Sequence, residues 1–150
     1  YLDRDPDLCC QLVNRAVGAN GEDGLDPHVR EIRALLTMDN DLDSARKDLL
    51  HAADQWVEAN NSGCLAHTLE AAALWAVRSD RTELARTLRC ALQAHRTHSG
   101  IPPLALETMT STRVEEELMI SGDQPAREEL DGIGLSGAHQ LFANETRSLG

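Results

Sequence analysis

The chain has 150 residues, 14 basic and 25 acidic side chains, and a net charge of −11. That length suits one domain with a core that needs neither disulfide nor metal, and that charge excludes a general nucleic-acid binder, which displaces counterions with a concentrated positive surface. Leucine occurs 22 times and alanine 19, against six valines and four isoleucines, which argues for an all-α fold and against a sheet.

In chain order, Asp5-Pro6 opens a first short helix that glycines close, with Leu8, Leu12, Val13 and Ala16 on a common face. Asp26-Pro27 repeats the device as N-cap and first-turn proline, and the spacing of Val29, Ile32, Leu35 and Leu36 predicts the buried stripe of a second helix. A third helix is expected over 42–59, with Leu49, Ala52, Ala53, Trp56 and Val57 inward. Just before it stand Asp39, Asp41 and Asp43, the alternation of a calcium loop. An EF-hand also needs glycine at the sixth position and glutamate at the twelfth, and counting from Asp39 these are Ser44 and Leu50. A carboxylate-rich linker that caps a helix is the reading that remains.

A fourth helix is expected over 63–78, with Leu65, Leu69, Ala72 and Ala76 as its core face. A fifth follows at once: Asp80 and Glu83 have the spacing of a capping box, Leu84, Leu88 and Leu92 recur every fourth residue, and Gly100 stops it. So short a turn makes the two helices antiparallel. Beyond Pro103, short helices are expected near 104–109 and 112–120 and after Pro125, with Glu115, Glu116 and Glu117 in solvent. Residues 132–150, rich in glycine, read as a loop-rich tail of the single 1–150 domain, anchored by Leu141 and Phe142.

The stretch "VRSDRTELARTLRCALQAH", with Val77, Arg78, Asp80, Leu88, Ala91 and Leu92 in register, resembles the end of an actinobacterial family of uncharacterised proteins, the domain of unknown function 4192. In that family a helix ends in an Arg-Gly-Asp turn and the next closes with an Ala-Leu pair. With "SARKDLLHAA" upstream, the likeness covers residues 44–98. Ser79 replaces the usual glycine, Leu84 a small residue, and the longer N-terminal region of the family is absent. The same stretch is similar to a tetratricopeptide hairpin, and neither likeness brings an activity with it.

Folding the hairpin at Ser79 and Asp80 sets Cys64 opposite His95, so that Cys64 and His67 on one helix face His95 and His98 on the other. One thiolate and three imidazoles could close a tetrahedral zinc site. Against this, His95 continues the leucine stripe and His98 occupies the last helical turn, where exposed carbonyls favour histidine, so no metal is assigned. Arg86, Arg89 and Arg96 fall along one side of the fifth helix, a solvated face paired with carboxylates in a chain this acidic. No catalytic motif is present: neither G-x-S-x-G, H-E-x-x-H, a phosphate loop nor a cysteine with a convincing histidine partner occurs.

Cys9, Cys10, Cys64 and Cys90 form no C-x-x-C pair, which suits reduced thiols in the cytoplasm, and no apolar run is long enough for a membrane span. Thirteen of the 14 basic residues are arginine, as in GC-rich genomes, and the start at Tyr1 is compatible with a piece of a longer protein. The reading is therefore a cytoplasmic, non-catalytic bundle of antiparallel helical hairpins, without cofactor, that engages a protein partner or its own copies. The rival is a small-molecule sensor or enzyme with a pocket between the Trp56 and Trp75 helices.

Overall fold

The computed structural model describes residues 5–100, 105–120 and 133–148. These contain seven helices: α1 (Pro6–Asn20), α2 (Pro27–Thr37), α3 (Leu42–Glu58), α4 (Ser62–Arg78), α5 (Thr82–Ser99), α6 (Ala105–Ile120) and α7 (Leu135–Arg147), and no strand is found among the described residues. The protein is an all-α bundle, and among the described residues no helix is long and apolar enough to cross a membrane.

The first four helices begin as the side chains before them dictate. Asp5, Asp26, Asp41 and Asn61 each accept a hydrogen bond from a backbone N–H of the first turn, at 2.9 to 3.0 Å. Asp41 thus caps α3, while Asp43 pairs with Arg46 and Lys47, and Asp39 with Arg78. The three carboxylates that imitate a calcium loop have separate structural partners.

The turns after α3 and α4 share one geometry. Asn60 and Asp80 take left-handed φ values of 51° and 57°, and the N–H groups of Asn61 and Arg81 donate back to the carbonyls of Trp56 and Ala76. This is a Schellman ending, which satisfies carbonyls the helix leaves open. Asp80 is therefore the residue past the end of α4, and the expected capping box with Glu83 does not form. Arg81 occupies the N-cap of α5 without a side-chain cap.

Successive helices from α2 to α5 pack as antiparallel neighbours, and α4 is central, in contact with α2, α3, α5, α6 and α7. All its residues from Leu65 to Ala76 except His67 are buried. Alanines 66, 71, 72, 73 and 76 let so many neighbours approach one rod. On α5 the Leu84, Leu88 and Leu92 stripe is buried as its spacing predicts.

Four expectations are corrected. Val29, Ile32, Leu35 and Leu36 are only half-buried, because the innermost side chains of α2 are Arg30, Glu31 and Ala34. Val57 is exposed at the last turn of α3. The two short helices expected near 104–109 and 112–120 are one helix, α6. The expected loop-rich tail contains α7, which lies against α3, α4 and α5 and buries Phe142 in edge-to-face contact with Trp75, ring centres 5.8 Å apart. Leu141 is exposed and does not anchor it. The helix expected after Pro125 lies outside the described residues.

Candidate functional site

Two places carry side chains that the fold does not use up. The first is α1, which packs on α2. Val13 is its buried contact, whereas Leu8 and Leu12, four residues apart and about 100–140° around the helix from it, remain 44% and 52% exposed. Instead of sinking with Val13, the two leucines form an apolar ridge along the rim of the bundle. Asp5 and Asp7 stand exposed at its N-terminal end, and Arg15 is exposed one turn beyond Leu12.

The second is the end of the bundle where α2 and α4 begin and α3 finishes. His28, the second residue of α2, brings Nε2 to 3.7 Å from Sγ of Cys64, the third residue of α4. The indole of Trp56 lies against the His28 ring, centroids 4.7 Å apart and planes at 54°. A thiol near a helix N-terminus is ordinarily made more acidic. Here burial pushes the Cys64 thiol up, the Asn61 side chain opposes that, and the carboxylates of Glu31 and Asp26 add to it. The Cys64 thiol thus lies beside an imidazole, with nearby carboxylates that oppose its ionisation.

Among the described residues no three His, Cys, Asp or Glu side chains are placed to hold a metal ion. The hairpin register is as expected, with Glu70 facing Arg89 at 3.4 Å, yet the imidazole that meets Cys64 comes from α2. His28 was missed because its position depends on α2 and α4 lying side by side across α3, which no spacing within one helix reveals.

The tryptophans do not share a pocket. Trp75 Nε1–H donates to the carbonyl of Leu42 at 2.9 Å, at the start of α3, whereas Trp56 lies 14 residues further along the same helix, about 21 Å at 1.5 Å per residue. An open depression of about 360 Å3 lies elsewhere, lined by Asp80, Arg81, Thr82, Glu83, Leu84 and Glu145. The arginines of α5 also divide. None of the three lies on a solvated face: Arg86, 11% exposed, pairs with the exposed carboxylate of Glu83 at 2.5 Å, while Arg89 and Arg96 turn onto the buried carboxylate of Glu70, and Arg89 continues to Ser111 and Glu115 of α6.

Buried charge on α2 is matched as closely. Arg33 forms a two-pronged contact with Asp48 of α3, both N···O distances 2.6 Å, and a second with Glu22 at 2.8 Å. These hydrogen bonds hold the guanidinium above its ordinary range and the Glu22 carboxyl below its own. Glu31 accepts a hydrogen bond from Thr68 of α4 at 2.9 Å. These contacts link α2 to α3 and to α4. No family model, curated protein or solved structure was found to match the chain.

Proposed function

We propose that the protein is a non-catalytic interaction module whose docking face is the ridge of α1, and that its partner is a basic amphipathic helix of a second protein. The observation that carries this reading is the exposure of Leu8 and Leu12 beside buried Val13. Charge favours a basic partner over a second copy: the ridge begins beside Asp5 and Asp7, and the chain as a whole carries −11, so two copies repel each other where a basic helix is attracted.

Energetics set the extent of the contact. Covering the exposed half of each leucine supplies about 1 kcal/mol, and the pair together falls short of the roughly 4 kcal/mol or more that association costs in lost freedom. The partner must therefore run the length of α1 and engage its carboxylates. A cytoplasmic setting and an actinobacterial-type host belong to the same proposal, supported by four free cysteines and by the arginine bias. So does the kinship of residues 44–98 with the domain of unknown function 4192, supported by the hairpin that Val77, Arg78 and Asp80 turn.

The test is co-purification from a GC-rich host lysate with the parent chain and with Leu8→Glu/Leu12→Glu, followed by titration of the recovered partner in purified form. The reading requires a partner with a basic amphipathic helix whose binding is lost in the variant and weakens with salt. Light scattering that shows a dimer dissociated by the same variant would replace it with self-association, and a parent chain that stays a monomer and retains nothing would end it.

A further inference from the structure

Three helices contribute one side chain each to the end of the bundle opposite Trp75, and two of those are metal donors. Cys64 is a free thiol, half-buried, and the exposed His28 imidazole stands 3.7 Å from it. Neither is needed to finish a helix. The cap of α4 is the Asn61 side chain, which accepts from the Cys64 N–H at 3.0 Å, and the cap of α2 is Asp26, which accepts from the His28 N–H at 2.9 Å. Both residues are accessible, His28 exposed and Cys64 half-buried, and the Trp56 indole lies against the imidazole.

We propose that Cys64 Sγ and His28 Nε2 form a two-donor site for one soft monovalent cation of the Cu(I) class. One sulfur and one imidazole nitrogen are the donor types such an ion prefers. A structural zinc ion needs four ligands, and among the described residues no third His, Cys, Asp or Glu completes a set, so the site favours an ion content with few donors. The nearby charge is right as well. Glu31 and Asp26 act on the thiol as negative charges, which opposes a bare thiolate and favours a bound cation. On binding, the Sγ–H proton leaves to solvent, sulfur forms the bond to the cation, and unprotonated Nε2 supplies its lone pair. No electron is transferred.

Two features make the site measurable. The exposed Cys10 and Cys90 and the half-buried Cys9 would bind the same ion without selectivity, so the parent for the test is Cys9→Ser/Cys10→Ser/Cys90→Ser. Trp56, in contact with His28, reports occupancy through its fluorescence. Under argon, Cu(I) is titrated in competition with bicinchoninate. One cation per chain is expected, with saturable quenching that Trp56→Phe removes while binding persists. Cys64→Ser should abolish binding, and His28→Ala should weaken it by more than the roughly 10–100-fold that losing an outer-shell partner costs a metal site. His28→Gln, which retains side-chain bulk at the start of α2, should weaken it as much, separating loss of the nitrogen donor from loss of packing. A parent without one-to-one binding, or His28 variants as tight as the parent, would overturn the site and leave only an ordinary thiol.

Discussion

Glu70 of α4 and Arg96 of α5 meet at 2.7 Å inside the bundle, where the Glu70 side chain is 1% exposed. Arg89 approaches the other carboxylate oxygen at 3.4 Å, and its further contacts with Ser111 and Glu115 carry the link to α6. One carboxylate thus joins three helices. Burial pushes the Glu70 carboxyl above its ordinary value of 4.5, and Arg96 and Arg89 oppose the shift without cancelling it.

Removal of that carboxylate takes one partner from each of two guanidinium groups that retain 22% and 18% exposure, and Arg89 keeps its contacts with Ser111 and Glu115. Glu70→Ala should therefore destabilise the fold by about 1–3 kcal/mol, the range for a lost hydrogen-bond partner, and not by the roughly 3–5 kcal/mol of a wholly buried broken pair. Urea denaturation measures it.

The sign of the pH dependence follows from the direction of the shift. Above 4.5 the unfolded chain has released a proton that native Glu70 still holds, so the native state binds more protons and this group's contribution falls as pH rises. It is fully present below 4.5 and lost through the higher native value. The stability of the parent relative to Glu70→Gln should decline as pH rises above 4.5; a relative gain would contradict the burial that dominates the site.

The left-handed turn residues give a prediction of opposite sign. Asp80 holds φ 57°, a conformation that costs an ordinary L-residue about 1–2 kcal/mol and glycine little. Asp80→Gly should raise stability by up to about 1 kcal/mol, whereas Asp80→Ala should give no gain. Thermal denaturation distinguishes them.

Phe142 fixes α7 through its contact with Trp75. Phe142→Ala should cost about 3–5 kcal/mol, accelerate amide exchange along α7 before that of α4, and change the fluorescence of Trp75.

What was legible in the sequence was local. Asp26-Pro27 and the aspartate before α3 mark helix starts because caps act within three residues, and the α4–α5 hairpin is readable because its leucines recur within single helices. The buried charges of α2 were not legible, since Arg33 finds its partner 15 residues away in Asp48 and an apolar pattern passes over both. Three glycines between 132 and 137 conceal α7. Tertiary burial of Phe142 outweighs that local preference. The His28–Cys64 pair leaves only a faint signal: both lie in first turns of alternate helices, which in an up-and-down bundle start at the same end.

Leu8 and Leu12 are exposed, so their replacement should leave stability within about 0.5 kcal/mol while removing any surface that a partner covers. The most direct measurement is therefore a titration of the purified partner against the parent chain and Leu8→Glu/Leu12→Glu, with melting temperatures recorded for both. The account predicts equal melting, salt-sensitive binding by the parent and none by the variant. Equal binding by both chains would show that the α1 ridge is not the docking face.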